Sequence, residues 1–245
     1  MSGVHIFVGF DDTDTLDADR GTGKLARWFE GELPPGCRLW GVVRQQLLVD
    51  DAIPYTSHNS AACAVVEAPD RSCLETLIQG AERHIERNFL DGSDPGLCVA
   101  CEGDPALPAL AAFGRLAASV VVTQRQAAEA AAGVHLSSHG GTCDGIIGAA
   151  AGVGLTAGGW SGRLIEYRGL LRTLPPVLGV GVLEEAGIVV VSVDRDAPVP
   201  GPGDRVDTRK WLRPRLWGGA AALPVTQAGP GLWKSLGSKR GGDAE

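Results

Sequence analysis

The chain has 245 residues, with 22 basic and 29 acidic side chains and a formal net charge of −7. This length is enough for one large or two small domains with a sizeable core. The acidic balance argues against an extended electrostatic grip on nucleic acid, which requires a basic face, and leaves room only for a local basic pocket.

The sequence pattern contains no membrane or secretion signal. The longest apolar stretch, 146–160, is mostly Gly and Ala and falls short of the ~20 residues that a membrane span requires. The N-terminus lacks the charged and apolar regions of a signal peptide, and the scattered cysteines are typical of free thiols in a reducing compartment. We therefore expect a cytoplasmic protein with no membrane partner, for which a homodimer is an allowed arrangement.

Hydrophobic periodicity and turn residues divide the chain into helices and strands. In chain order, the pattern predicts a strand at 4–10, a helix at 21–29, strands at 37–49 and 61–67, a helix at 69–89, a strand at 97–101, a helix at 105–133 with a break or strand near 119–122, a glycine loop at 136–142, a helix at 144–155, and strands within 163–171 and 177–193. Because these elements do not repeat as βαβα units, we expect an α+β fold with mixed sheets.

Two further segments carry chemically distinctive side chains. Cys98 and Cys101 form a spaced pair, which we interpret as buried side chains on a strand, because a zinc site would need a second pair or spaced histidines. The Arg- and Trp-rich segment at 208–217 is interpreted as an extension held on the body by aromatic anchors, with contact to single-stranded RNA as the alternative. The last residues, 238–245, are predicted to form a frayed tail.

An acidic cluster, Asp11, Asp12 and Asp14, follows the first predicted strand. Like charges this close raise each other's pKa unless a cation neutralises them. Mg²⁺ prefers such oxygen ligands and often bridges them to phosphates. The local pattern leaves two interpretations open: a solvated Asp-rich turn, or a metal site at the end of a strand, where Gly9 would let the backbone approach a ligand.

Two glycine-containing segments are candidates for phosphate binding. Thr22 opens a predicted helix, where its hydroxyl and the helix N-terminus would favour a phosphate and Lys24 would add charge, and simple helix capping by Thr22 is the alternative. The second segment supplies backbone amides at the start of another helix. Its candidate residues are His139, Gly140, Gly141 and Gly145. His139 could act as a hydrogen-bonding side chain or as a catalyst.

Several blocks of the sequence resemble, in the same order, the archaeal tRNA(Ile) 2-agmatinylcytidine synthetase family. The block at 8–15 is similar to the glycine, hydrophobe and DDTDS-type opening of that family. The other matching blocks are Gly21-Thr22, Val43-Arg44, residues 53–56 with Asn59 and Ala61, Ser93–Gly96, residues 145–154 and residues 164–168. The full OB-fold and zinc-ribbon part with which that family binds tRNA is not expected in this chain.

The resemblance implies a mixed-sheet, kinase-like domain packed with a ferredoxin-like α/β domain. We expect the ATP-binding, kinase-like domain over 1–175, with a ferredoxin-like portion nested near 61–135. Strands and the Arg/Trp-rich extension are expected over 176–245.

The resemblance also implies that ATP and Mg²⁺ are used to phosphorylate the C2 oxygen of a cytidine, after which agmatine displaces the phosphate. By position, Asp11, Asp12 and Asp14 would hold Mg²⁺ and the ATP phosphates. The implied residues of the nucleotide or substrate pocket are Thr22, Arg44, Asn59 and Gly145. The candidate catalytic residues are Asp11, Asp12, Thr22 and His139.

These patterns are compatible with several functions. The favoured one is an Mg²⁺- and ATP-dependent enzyme that phosphorylates a carbonyl or amide oxygen of a small molecule, with an amine as co-substrate. tRNA is the less favoured partner, because the net charge is −7 and the basic residues of the family's Lys-Thr-Arg-Gly-Asn-Gly run are missing at 55–60. The alternatives are a tRNA cytidine ligase of the agmatinylcytidine synthetase type and a non-catalytic nucleotide-binding module.

Overall fold

The structure, a computed structural model, describes residues 3–15, 18–53, 59–196 and 198–236. The predicted block at 54–56 and the predicted tail at 238–245 lie outside these residues. The described helices are α1 (Thr22–Trp28), α2 (Leu74–Asn88), α3 (Leu107–Ala117), α4 (Gln124–Ala130), α5 (Gly145–Gly158) and α6 (Val180–Glu185). The described strands are β1 (Val4–Asp11), β2 (Arg38–Gln46), β3 (Ser60–Ala68), β4 (Gly96–Cys101), β5 (His135–Ser138), β6 (Arg163–Tyr167), β7 (Val177–Gly179), β8 (Ile188–Ser192), β9 (Arg205–Asp207), β10 (Arg215–Trp217), β11 (Ala220–Gly229) and β12 (Leu232–Ser235).

A mixed sheet joins these strands. Its order is β5-β4-β1-β3-β2-β6-β10-β11-β12-β9-β7, and β8 pairs with β11. Within the described residues, β8 with β11 and β9 with β12 are parallel pairs, and the other pairs are antiparallel. The predicted α+β class with a mixed sheet is therefore confirmed. The division into kinase-like and ferredoxin-like parts, and the boundary at 175, stay predictions.

Helices cover both faces of the sheet around β1. Side chains alternate along a strand, so Ile6, Val8 and Phe10 all point to one face, where they belong to a core that includes buried residues of α1 and α2. Phe7 points to the other face and belongs to a core that includes α3 and α5. Asp11 shares the face of Phe7, and this alternation directs it towards α5.

The predicted helix at 105–133 is two helices, because the chain breaks at 118–123. The break is a turn and not a strand. The backbone N–H of Gln126 donates to the Thr123 hydroxyl, and the Gln126 side chain accepts a hydrogen bond from the Thr123 backbone N–H at 2.9 Å. This reciprocal capping box starts α4 after the break.

Two other segments differ from the sequence prediction. Residues 135–138 form β5 at the edge of the sheet, where a glycine loop was predicted from 136, because their backbone pairs with β4. Val180–Glu185 form α6 between β7 and β8, within a stretch predicted only to contain strands.

The C-terminal part of the chain belongs to the sheet. Arg215 of β10 pairs with Arg163 of β6, and β11 continues the ladder beside β10. Trp233 on β12 is fully buried. The prediction that residues 208–217 form an extension held on the surface is therefore wrong for 215–217, because these residues form a strand within the sheet.

All six cysteines lie in the described part of the chain and are free. Cys98 and Cys101 are buried on β4, one in each of the two cores. Residues three apart on a strand point to opposite faces and lie ~10 Å apart. This geometry agrees with the interpretation of the pair as buried strand side chains.

Among the helices that the structure describes, none has the length and apolar character needed to cross a bilayer.

Candidate active site

The acidic cluster lies where β1 meets α5. Asp11 ends β1, and its carboxylate occupies space that Gly148 leaves open, since a Cβ at position 148 would overlap that carboxylate. Gly9 lies two residues earlier on the same face. A Cβ there would collide with the Ala149 carbonyl and would lie 2.7 Å from Cγ2 of Val153. The space beside Gly9 is therefore filled by α5, and this glycine allows the helix to pack closely on the strand.

The backbone of the acidic cluster is tied to the turn before β4. Asp12 has a φ of 48°, in the left-handed region that aspartate tolerates better than most residues. Its carbonyl accepts a hydrogen bond from the backbone N–H of Asp94 at 3.1 Å, and the carbonyl of Thr13 accepts one from Leu90 at 3.2 Å. These bonds fix the direction in which the Asp12 side chain leaves the backbone.

Asp14 joins the acidic cluster to α1. Its Oδ1 accepts hydrogen bonds from the backbone N–H of Thr22 at 3.1 Å and from the Thr22 hydroxyl at 3.0 Å. Thr22 Oγ1 accepts further bonds from the backbone N–H and hydroxyl of Thr13 at 3.3 and 3.1 Å. Thr22 is the first residue of α1, whose N-cap is Gly21. Thr22 therefore does not cap the helix, and its hydroxyl is held in a buried network at the site.

The start of α5 already holds a carboxylate. Asp94 accepts hydrogen bonds from the backbone N–H groups of Thr142, Cys143 and Asp144 at 3.1, 3.0 and 2.8 Å, and from the Thr142 hydroxyl at 2.7 Å. A helix N-terminus favours an anion. Asp94 fills the position predicted for a phosphate, so these amides are satisfied within the chain.

A cavity of about 380 Å³ opens beside these elements. The predicted site residues that line it are Asp11, Asp12, Asp14, Thr22, Asn59, Gly141 and Gly145. Apolar side chains also contribute to its wall, among them Leu47, Ile53, Val121 and Ile147. The cavity thus combines a carboxylate-rich part, which favours a cation, with an apolar surface that can bury part of a ligand.

The remaining predicted site residues do not line this cavity, namely Gly9, Lys24, Arg44, His139 and Gly140. Lys24 extends over the Trp28 ring, with its Nζ 5.1 Å from the ring centroid. Arg44 contacts a residue that lines the cavity: its Nε donates a hydrogen bond to Oγ of Ser60 at 2.9 Å. His139 lies beyond β5, with its ring 2.9 Å from a serine hydroxyl of that strand.

Burial and mutual repulsion perturb the carboxyl groups of the cluster. Burial raises the pKa of Asp11 to about 7, and the charges of Asp12 and Asp14 add to the rise. Burial is likewise the main cause that raises the pKa of Asp12 to about 6. The negative charges of Asp94, Asp14 and Asp144 also contribute to this rise. Carboxyl groups perturbed in this way, and gathered at a cavity, are typical of a functional site.

A divalent cation would relieve this repulsion. Within the described residues, no group of three or more His, Cys, Asp or Glu side chains is arranged to hold a metal ion. Mg²⁺, however, is usually bound by one or two carboxylates and completes its octahedral shell with water and substrate phosphates. The pair of Asp11 and Asp12 fits that donor set, whereas Asp14 is hydrogen-bonded to Thr22. Asp14 as a further metal ligand stays a prediction.

Two further aspartates that the sequence pattern did not single out, Asp94 and Asp144, also line the cavity. Asp94 lies in the Ser93–Gly96 block that carried part of the family resemblance, and this block was the signal that could have found it. Asp144 directly precedes α5, a position typical of aspartate. Their closeness to Asp12 depends on the packing of α5 against β4, which no local pattern encodes.

No known family profile and no curated protein matches the chain, but solved structures match it. A complex of TiaS with an isoleucine tRNA and ATP is 23% identical with a TM-score of 0.52, over 62% of this chain and 36% of that one. A complex of TiaS with the same tRNA, AMPCPP and agmatine is 23% identical with a TM-score of 0.51, over 74% and 44%. A tRNA fluorescent labeling enzyme is 24% identical with a TM-score of 0.51, over 61% and 36%.

The aligned part spans 36–44% of the length of these solved chains. At such identities the likeness concerns the fold. The blocks singled out in the sequence and the fold itself point to the same proteins. Over part of its length, this chain resembles TiaS, a tRNA agmatidine synthetase.

Proposed function

We propose that the chain is an ATP-dependent ligase that phosphorylates the C2 oxygen of a cytidine in tRNA and then exchanges that phosphate for an amine. The single observation that carries the proposal is the carboxylate-lined cavity at the end of β1. It lies in a fold that resembles part of TiaS, which has been solved with tRNA and ATP and with tRNA, AMPCPP and agmatine. The proposal revises the expectation of a small-molecule acceptor, because those complexes favour the RNA alternative.

The reaction consists of two substitutions. In the first, the C2 carbonyl oxygen attacks the γ-phosphorus of ATP, a C2–O–P linkage forms, and ADP leaves. In the second, the amine nitrogen attacks C2, the C2–O bond breaks, and inorganic phosphate leaves with the original oxygen while the amine releases a proton. Positioning and charge stabilisation supply most of the catalysis in such phosphoryl transfers.

Each described element of the site would have a defined task. Asp11 and Asp12 would hold Mg²⁺, which supplies positive charge to the transferring phosphoryl group when it is bound. The Thr22 hydroxyl, which donates to Asp14 and accepts from Thr13, would hold the Asp14 carboxylate and the start of α1 in place at the edge of the cavity. The apolar wall would pack against a ring and exclude water from the phosphorylated intermediate.

A small-molecule acceptor remains the second candidate. The observation that favours it is the net charge of −7, which opposes a general affinity for RNA. The chemistry at Asp11 and Asp12 would be the same for an amide or urea oxygen.

The test is release of ADP from ATP and Mg²⁺ in the presence of tRNA transcripts or of small amides and ureas, each with and without agmatine. We expect tRNA to stimulate ADP release and agmatine to become attached to the RNA. Stimulation by small amides alone would favour the second candidate. A folded protein that releases no ADP with any acceptor would contradict both enzymatic functions and leave the non-catalytic module.

A further inference from the structure

A second cavity, of about 390 Å³, lies between the segment that follows β6 and the turn that precedes β10. Its lining includes the cationic side chains of Arg172, Lys210 and Arg213, together with Trp211. None of the side chains described as lining this cavity is acidic. The cavity therefore combines positive charge with an aromatic ring, in a chain whose net charge is −7.

The cations of this cavity are crowded and incompletely neutralised. The Arg213 guanidinium lies 4.0 Å from the Trp211 ring centroid. Arg172 forms an ion pair with Glu166 and donates to the Ile165 carbonyl at 3.0 Å. Burial lowers the pKa of Arg213 to about 10, and the positive charges of Arg172 and Arg27 add to this effect more strongly than Glu166 opposes it. Such crowding favours the binding of an anion.

The turn that carries Lys210 and Trp211 is held in a strained conformation. Arg209 and Lys210 both have positive φ angles, 54° and 57°, which cost energy for residues with side chains. The turn is fixed because the backbone N–H and hydroxyl of Thr208 both donate to the Pro176 carbonyl, at 2.7 and 2.9 Å. Lys210 and Trp211 are thereby presented without the entropic cost of ordering a mobile loop.

Helix α1 begins at the candidate active site and ends near the cations of this cavity. Thr22, its first residue, lines the first cavity. Arg27, in its last turn, lies within electrostatic reach of Arg172 and Arg213. The rise of an α-helix places these two positions ~7.5 Å apart along the axis. This helix therefore runs from the wall of the first cavity towards the cations of the second, and the ligand that would contact both regions is a strand of several nucleotides.

We propose that Arg27, Arg172, Lys210, Trp211 and Arg213, together called the arginine surface, bind the single-stranded RNA next to the nucleotide that enters the first cavity. The cations would contact backbone phosphates, and a base would stack on the face of Trp211 opposite Arg213. This inference rests on the proposed function, because it takes RNA as the acceptor. Single-stranded RNA fits best because grooves that bind it combine basic residues with aromatic rings.

The test measures the affinity of the full chain for a fluorescently labelled single-stranded RNA by anisotropy over a range of salt concentrations. The variant Arg172→Glu/Lys210→Glu should bind at least about tenfold more weakly at low salt. It should also lower the slope of log K against log salt by about 1.4, the value for two lost phosphate contacts on a single strand. Arg83→Glu/Arg195→Glu, which makes the same change of net charge at two exposed residues outside this cavity, is the matched control.

Two further variants keep the test valid if the double variant folds poorly. Lys210→Glu alone changes an exposed side chain and should weaken binding to a smaller degree. Trp211→Ala should weaken RNA binding about tenfold, whereas Trp211→Phe, which keeps an aromatic face, should retain most of it. Equal affinity of Trp211→Ala and wild type would overturn the stacking contact.

The outcomes separate this inference from the proposed function. Unchanged RNA affinity in the double variant, with RNA still stimulating ADP release, would overturn the arginine surface and leave the proposed function standing. Failure of the wild type both to bind RNA at low salt and to release ADP with RNA would overturn both. The wild type could also bind AMP or inorganic phosphate as tightly as RNA, and the double variant could lose that binding. This result would assign the surface to a small phosphate compound and contradict the RNA proposal.

Discussion

The two ends of helix α1 lie in opposite electrostatic surroundings. Thr22 at its start faces the cavity of the acidic cluster, whereas Arg27 near its end lies among the cations of the arginine surface. The net charge of −7 averages over both regions and reveals neither. Composition therefore excludes a uniformly basic face but says nothing about a local one.

Each region is also electrostatically incomplete without a ligand of opposite sign. Burial and repulsion raise the pKa of Asp11 and Asp12, while burial and repulsion lower the pKa of Arg27 and Arg213. In both cases the charged form is destabilised in the unliganded chain. The difference in sign favours a cation at one end of the helix and an anion at the other.

The largest effect that would test this division is expected from Asp12→Asn. Asparagine tolerates the left-handed backbone of position 12, so the change removes charge with little effect on the fold. We expect ADP release to slow at least ~100-fold, a barrier increase of about 2.7 kcal/mol, while RNA affinity at the arginine surface stays unchanged. Asp196→Asn, at an exposed turn, is the control. Activity of Asp12→Asn equal to that of wild type would remove Asp12 from the catalytic site.

Gly148→Ala tests the packing that places Asp11. The added Cβ would overlap the Asp11 carboxylate, so either the strand or the helix must shift. We expect a loss of ~1–3 kcal/mol in the free energy of unfolding by urea. Gly158→Ala in the same helix is the matched control, because its Cβ would meet the Ala111 side chain at an ordinary 3.9 Å. That change should be neutral or stabilise by up to ~1 kcal/mol. Equal stability of the two variants would show that position 148 is not crowded.

Asp94→Asn tests whether a negative charge is needed at the start of α5. The amide would offer one acceptor oxygen in place of a carboxylate that accepts three backbone N–H bonds. We expect a loss of roughly 2 kcal/mol in the free energy of unfolding. Asp144→Asn, at an exposed residue, should cost less than ~0.5 kcal/mol. An unchanged urea midpoint for Asp94→Asn would contradict the structural assignment of Asp94.

The pH dependence of stability gives the most gradual effect. Asp11 has a pKa of about 7 in the folded chain against 3.8 for an unperturbed aspartate, so the folded chain keeps a proton that the unfolded chain loses as pH rises. The Asp11 contribution is therefore fully present below about pH 4 and is lost as pH rises through about 7, by at most ~1.4 kcal/mol per pH unit.

Urea unfolding without added metal between about pH 4.5 and 7.5 checks this expectation. The decline should be shallower in Asp11→Asn, which has no proton to lose at this position. Mg²⁺ with ATP should also reduce the decline in the wild type, because binding to the folded chain offsets the buried charge. Parallel curves for wild type and Asp11→Asn would contradict the raised pKa.

The parts of the fold that depend on local pattern could be predicted from the sequence. The apolar run of β1 and the three- and four-residue spacing of α2 were sufficient for those elements. β5 could not be predicted, because its polar backbone becomes a strand only by pairing with β4. The strands after residue 204 could not be predicted individually for the same reason. Short segments such as β10 become strands by pairing with segments distant in sequence.

The same limit applies to the candidate site: residues with a local sequence signal could be predicted, and residues placed by long-range contacts could not. The acidic cluster and Thr22 were evident because like charges next to a strand end and a helix start form a local signal. Asp94 was missed as a site residue, because its carboxylate reaches the α5 amides only through contacts across 48–50 residues. The arginine surface likewise depends on the meeting of α1, the segment after β6 and the turn before β10.

Calorimetric titration of ATP into wild type and Asp12→Asn, each with and without Mg²⁺, tests the central claim most directly. We expect the wild type to bind ATP more tightly with Mg²⁺ than without it, and Asp12→Asn to lose this Mg²⁺ dependence while remaining folded. ATP binding that is equally strong in both proteins and indifferent to Mg²⁺ would contradict a metal-nucleotide site at the end of β1.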